Sequence, residues 1–387
     1  MPKHAFFLFR YSRHTPKPLA ASFSDGSGTR TYPLFVPGSG ISLKTVLDNI
    51  SAIKNEFAGD PVPAVIINDF KSVLDALDPP PADAYNAYDY GIIKTDEKDV
   101  TEQQARELCE ARVKAEIKPA AWMRLLGKAS VVYHAMQKRG IMNGYAHTYP
   151  RYELNTVSGR SKTLDFNLQG ADATYDIHHP SESQKYLIHV DWISADLRAA
   201  QLLSGDEFLA EAFRKSDPYT VMAKGELTRA DCKGMMIRAL YEMDLKNPAL
   251  QFYPTLHKWV TKERSELEAG KTFSRSLLGR EFRLAQEGDP LHNMRSVFNA
   301  SLQGTVVHAM HNALWQIHQT LPGCILAETH DSLTLAADRH MINEIVKMGT
   351  DAMLHPFRGI VGDDPTFPVR VYVGKHWKRW KLYREVR

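Results

Sequence analysis

Tyr186-Leu187-Ile188-His189-Val190-Asp191 is an apolar run that ends on an acid and passes directly into Ser194 to Leu203, whose small and apolar residues fit a helix. A carboxylate at such a strand end, Asp191, can face a cleft instead of a core. The second decisive stretch is Cys324-Ile325-Leu326-Ala327-Glu328-Thr329-His330-Asp331-Ser332-Leu333-Thr334-Leu335. It has two apolar half-strands around a polar His-Asp-Ser corner, the pattern of a hairpin with Asp331 at its tip. From Gly144 to the C-terminus strand-like and helix-like segments alternate, with no repeat and no low-complexity tract. That order predicts one larger domain of α/β or α+β class. The two acids are so far apart in the chain that only tertiary folding can pair them. Paired, they offer the oxygen ligands that two Mg²⁺ ions need about 3.5 to 4 Å apart; singly, each is an ordinary turn or cap residue.

The chain has 387 residues, enough for two domains at roughly 150 residues each. Hydrophobic residues make up 43% and charged residues 24%, which predicts a folded, soluble protein and excludes a disordered one. Lys plus Arg number 48 against 45 for Asp plus Glu, so the balance permits an anionic partner without demanding one. Cys109, Cys232 and Cys324 are scattered, with no CxxC spacing; neither a disulfide framework nor a zinc site is suggested, and a reducing, cytoplasmic setting fits. No run approaches the roughly 20 apolar residues that span a bilayer, so no membrane role is expected. The first 24 residues hold Lys3, Arg10, Arg13 and Lys17 and no acid, as transit peptides do, but His4 to Tyr11 reads better as a strand.

Residues 1 to 118 read as a small α/β unit. A strand His4 to Tyr11 leads to a hairpin Leu19 to Val36 turning at Ser24 to Gly28, then a helix Ser42 to Phe57, a strand Pro63 to Ile67 and a short helix. Asp78-Pro79-Pro80-Pro81-Ala82-Asp83 is a loop. Thr101 to Lys118 is charged and helical, and Pro119 opens an amphipathic helix through Lys138 that ends near Gly140 and links the two domains.

Three further segments carry chemistry. Thr228 with Asp231 three residues on resembles a capping box, and Arg229, Lys233, Ile237 and Tyr241 follow at steps of four along one helix face. Such a face could hold a triphosphate at its cationic end and a base and sugar further along; the alternative is a solvated basic helix. Ser158-Gly159-Arg160 to Asn167-Leu168-Gln169 is a polar loop rich in groups that bind phosphate and base edges. Arg295, Asn299 and Gln303 form a polar stripe, again at steps of four, before a helix that runs through Ile317; amides on a stripe suit minor-groove contact.

In this order the segments resemble the polymerase domain of family A DNA polymerases, the DNA polymerase I-like enzymes. Motif A is resembled by Asp191-Trp192-Ile193-Ser194-Ala195-Asp196-Leu197-Arg198, with Ser204-Gly205-Asp206-Glu207 and Asp217-Pro218-Tyr219-Thr220 continuing the match. Motif B is resembled by Arg229, Lys233 and Tyr241, and motif C by His330-Asp331-Ser332. Leu278-Gly279-Arg280, Gln303-Gly304-Thr305 and Gly374-Lys375-His376-Trp377 also fit, so the resemblance covers residues from about 145 to 380. It implies a right-hand palm and fingers over residues 151 to 387 and a residual thumb within 119 to 150. The implied activity is template-directed extension of a DNA primer with dNTPs. Two Mg²⁺ ions would be held by Asp191 and Asp331, with Trp192 supplying its carbonyl. Arg229 and Lys233 would grip the triphosphate, with Ile237, Tyr241 and Asp196 completing the nucleotide site. Arg160, Asn167, Gln169, Arg295, Asn299, Gln303 and His330 would line the primer-template duplex.

The departures from the family carry their own expectations. Asp196 stands where Glu is usual, which implies weaker exclusion of ribonucleotides; Ile237 replaces an aromatic, Tyr219 a His, and Ser332 a Glu. The reduced thumb implies low processivity unless a partner substitutes. Six Lys or Arg with Trp377, Trp380 and Tyr383 between Gly374 and Arg387 could clamp single-stranded template or form an exposed amphipathic tail. The N-terminal unit follows the strand-hairpin-helix order of the family's 3′-5′ exonuclease domain, and Asn68-Asp69-Phe70-Lys71 resembles its second motif. With no acid before Asp25 it lacks the first-strand ligands, so proofreading should be absent. The setting implied is the cytoplasm of a cell hosting a phage, plasmid or similar element. The other readings are an RNA polymerase or primase-like member of the same superfamily, and a non-catalytic nucleic-acid-binding relative.

Overall fold

The structure is a computed structural model that describes residues 121–387, except 155, 165, 224, 286 and 287, together with five strands within 1–120. The chain divides into two compact units, Met1–Ala135 and Met136–Arg387. In the first, β1 (His4–Arg10), β2 (Lys17–Ser24), β3 (Thr29–Pro33), β4 (Ala64–Ile67) and β5 (Ala84–Asn86) form one sheet in the order β3-β2-β1-β4-β5. β2 and β3 make the expected hairpin, with Ser24 opposite Thr29, whereas β1–β4 and β4–β5 pair in parallel. The helices expected over 42–57, after 67 and over 101–118, the proline loop at 78–83 and the Asn68 to Lys71 motif lie outside the described residues.

Helix α1 (Ala121–Arg139) buries Leu125, Ala129, Val132 and Met136 at helical spacing. It stops at Gly140, whose φ of +71° lets its N–H reach Met136 O at 2.9 Å. A Cβ there would stand 2.7 Å from Thr148 O, so the stop requires glycine.

The second unit is built on an antiparallel sheet of β6 (Tyr186–Trp192), β7 (Ile325–Glu328), β8 (Ser332–Ala337), β9 (Val369–Gly374) and β10 (Lys381–Val386) in the order β7-β8-β6-β9-β10. The alternation of strands and helices along the chain therefore does not give a parallel sheet, because a hairpin turn joins β7 to β8 and a short turn joins β9 to β10. This places the unit in the α+β class. β6 lies at the centre, with Asp191 opposite Ser332 on one side and Arg370 on the other.

The C-terminal stretch is not a free tail. Trp377 is buried and donates its Nε1–H to Ala171 O at 3.1 Å, Trp380 stacks on His189 at 4.3 Å between ring centroids, and the residues beyond form the edge strand β10.

Helices flank the sheet. They are α2 (Ala195–Ser204), α3 (Glu207–Lys215), α4 (Pro218–Met222), α5 (Arg229–Tyr241), α6 (Pro254–Glu268), α7 (Pro290–Thr320) and α8 (Ile342–Leu354). The stripe expected before a helix is in fact part of one, since α7 runs unbroken for 31 residues. α8 crosses the sheet closely at Gly349, where a Cβ would meet Leu335 Cδ1 at 2.6 Å, and Trp192 donates to Met353 O at 2.7 Å. A second core of Leu209, Phe213, Met236, Leu240, Tyr253, Leu256 and Phe298 holds α2 to α7 together. Among the described residues no helix is long and apolar enough to cross a membrane.

Three histidines of this unit are buried where a charge is disfavoured. Burial holds His311 at about 3 and His179 at about 4, and drives His308 well below its ordinary range. The folded state thus binds these protons more weakly than the unfolded chain. Stability is full above about pH 6.5 and falls as pH drops toward 4, by up to about 2 kcal/mol for His311 alone at pH 5. Urea unfolding at pH 7.5 and pH 5.0 should show this loss, and His311→Gln should reduce it; a pH-independent midpoint would contradict it.

Candidate active site

The corner between β7 and β8 is a tight turn in which Thr329 N–H donates to Ser332 O at 3.0 Å. His330 takes its first central position with φ +65°, a conformation costing a non-glycine residue about 1 kcal/mol or more. Asp331 follows, and its carbonyl accepts from Trp192 N–H at 3.1 Å. That bond ties the hairpin tip to the end of β6 immediately after Asp191, so the two acids from distant segments lie at the same end of adjacent strands. Ser194, which caps α2 just beyond, is also left-handed at φ +59°. Two of the five non-glycine residues with positive φ among the described residues thus flank the acid pair, as strain at a working site would.

Asp191 is half-buried and Asp331 keeps an exposed surface, yet the protein packed around both carboxyls pushes them up. Burial, then the negative charge of Asp331, raises Asp191 to about 7, against the opposing pull of Arg370 and Lys233. Burial, then Asp196, raises Asp331, with Arg160 and Lys233 opposing. Nearby cations do not fully compensate the pair, and a hard divalent ion would. Among the described residues no group of three or more His, Cys, Asp or Glu gathers as a metal site. Two carboxylates suit Mg²⁺ all the same, since that ion takes one or two from protein and completes its shell with substrate phosphates and water.

α5 faces this pair. Thr228 and Asp231 form the expected capping box, each side chain meeting the other's backbone N–H. Cys232, Met236, Ala239 and Leu240 are buried on one side, and Arg229, Lys233, Ile237 and Tyr241 run along the flank beside it, Lys233 and Ile237 exposed and the other two half-buried. Lys233 is exposed and its field reaches both acids. Arg229 is held by buried Asp217 at 2.6 Å and lies over the Tyr219 ring at 5.5 Å. Tyr219 is itself buried and hydrogen-bonded to Ser194, so the residue where the family has a His is packed inside.

Asp196 is gripped at both oxygens: Arg160 Nη2 lies 3.3 Å from Oδ1, and the Tyr241 hydroxyl donates to Oδ2. Burial, followed by Asp196, raises the Tyr241 phenol. The stripe on α7 meets this end of α5. Asn299 donates to Tyr241 O at 3.1 Å, Arg295 to Glu242 O at 3.2 Å, and Gln303 is hydrogen-bonded to the Tyr241 hydroxyl. Of the residues expected at the duplex, these three therefore buttress α5. Asn167 and Gln169 brace their own loop, with Asn167 Oδ1 accepting from Gly170 N–H at 3.0 Å and Gln169 Oε1 from Thr163 Oγ1 at 2.8 Å. Sequence reasoning missed Asp217 and Arg370 as charge partners, and Glu328, an acid buried within the apolar strand β7. An acid inside that apolar run was the signal.

Compared as folds, the chain is similar to the POL domain of Pol1 from M. smegmatis, solved in complex with DNA primer-template and dNTP. The TM-score is 0.63 over 98% of this chain and 96% of that one, at 12% sequence identity. This likeness defines a polymerase fold. At the level of sequence no family model and no curated protein matches the chain.

Gly159 precedes Arg160 with φ +83°, and a Cβ there would stand 2.6 Å from Arg280 Nη1. Gly159→Ala should destabilise the protein by about 1 kcal/mol, chiefly through backbone strain. Urea denaturation should also show that adding Arg280→Ala does not restore the loss; full restoration would assign the cost to side-chain crowding.

Proposed function

We propose that the chain is a template-directed nucleotidyltransferase of the family A type, extending a DNA primer with dNTPs on a DNA template. The observation that carries this reading is the junction of Asp331 with the end of β6, which gathers two acids of raised pKa within the field of Lys233 on α5. The polymerase fold shared with a protein solved with primer-template and dNTP supports it.

Two Mg²⁺ ions would be held by Asp191, Asp331 and the Trp192 carbonyl, and when bound they supply acidification of the primer 3′-hydroxyl and neutralisation of the leaving pyrophosphate. The remaining work falls to the chain. Lys233 and Arg229 meet the triphosphate, Arg229 being pre-oriented by Asp217 and Tyr219. Tyr241, fixed by Asn299, Gln303 and Asp196, offers its ring to the new base pair. Asp196 stands where a ribose 2′-hydroxyl would project, and as the shorter acid, held at both oxygens, it leaves more room there than Glu. His330 and Arg160 border the primer end. The N-terminal unit contributes no proofreading.

Extension of a labelled primer tests this directly. Wild-type protein with Mg²⁺ should incorporate dNTPs and, less efficiently, rNTPs, and Asp331→Ala should lower the rate by about a thousandfold or more. Asp196→Glu should sharpen discrimination against rNTPs by about tenfold. Under single-hit conditions products should be short. Extension equal in wild type and Asp331→Ala would overturn the assignment, and initiation without a primer would favour a primase-like enzyme.

A further inference from the structure

Glu328 is an acid in a strand whose four residues are all buried, and it is itself 2% exposed. Its two oxygens are used differently. Oε1 accepts from the backbone N–H of His330 at 2.5 Å, and Oε2 accepts from the Ser161 hydroxyl. Ser161 is likewise buried and takes a further bond from Gln169 Nε2 at 3.3 Å. Gln169 is anchored in turn by Thr163 through its backbone N–H and its hydroxyl. A continuous chain of bonds therefore runs from the Ser158 to Gln169 loop into the strained turn, ending one residue before Asp331.

We infer that Glu328 is a positioning residue. Through the His330 N–H it holds the left-handed corner that aims the Asp331 carboxylate, and Ser161 and Gln169 hold Glu328 in turn. The inference rests on the polymerase reading for the use made of Asp331, but not for the geometry. Asp331 adjoins the left-handed residue, so a turn free to relax would swing its carboxylate away from Asp191. The polar loop, expected from sequence to touch the duplex, thereby gains a second task as the support of the metal-binding corner. A buried acceptor is suited to it, because a hydrogen bond to an ionised or strongly polar acceptor in a dry site is directional and costly to break.

The test uses the full chain and Mn²⁺ as the probe, with binding followed by electron paramagnetic resonance. Glu328→Ala should weaken Mn²⁺ binding by about tenfold or more, the scale seen when a partner that orients a metal ligand is removed. It should lower kcat for primer extension while leaving KM for dNTP within about twofold. Glu328→Gln keeps an acceptor for the His330 N–H and should recover most of the affinity. Ser161→Ala should fall between the two, and it carries the test alone if Glu328→Ala fails to fold. Wild-type Mn²⁺ affinity in folded Glu328→Ala or in Ser161→Ala, or a Glu328→Gln variant as poor as Glu328→Ala, would overturn the inference. Wild-type protein that binds Mn²⁺ in this pattern yet extends no primer would strike the polymerase reading and leave the positioning role standing.

Discussion

Two carboxylates of like charge, gathered at one end of the central strands of one sheet, set the terms for everything around them. Loss of water around them opposes ionisation, and the charge of Asp331 raises Asp191 further as the charge of Asp196 raises Asp331. Such a pair persists only where the backbone is over-determined. Here the cross-strand bond from Trp192 to Asp331, the central register of β6 and the close crossing of α8 at Gly349 provide that constraint. The left-handed residues Ser194 and His330 are the local consequence, for each turns the chain sharply on either side of the pair.

Around this edge the charged groups form linked sets. Arg370, opposite Asp191 in register, lies 3.8 Å from Asp217 and is held by Glu385 at 3.0 Å; Asp217 in turn holds Arg229. On the other side Arg160, Asp196 and Tyr241 make a second set, backed by the amides of α7. This side of α5 is thus fixed at both ends, and Lys233 between them stays exposed. That division suits a site in which anchoring groups are pre-organised and one cation responds to the ligand.

Much of this was legible in the sequence. The hairpin at His330-Asp331, the strand ending near Asp191 and the capping box at Thr228 are local patterns with local causes, and they appear within a residue or two of where the spacing put them. What escaped was non-local. The antiparallel pairing of β6 with β9 depends on residues far apart in sequence. The burial of Trp377 depends on Ala171, and the engagement of Arg295 and Asn299 on the end of α5. A polar stripe reads alike whether it faces a ligand or a neighbouring helix. Glu328 was visible as an anomaly in an apolar run, but its partner Ser161 lies in another segment altogether.

The central claim is that Asp191 and Asp331 form one metal-binding pair serving nucleotidyl transfer. The most direct measurement is a crystal structure of the chain with primer-template, a non-hydrolysable dNTP and Mn²⁺, read by anomalous scattering. The account predicts anomalous peaks between the two carboxylates, with the triphosphate against Lys233 and Arg229. An ordered nucleotide with no metal at either aspartate, or metal bound elsewhere, would contradict it.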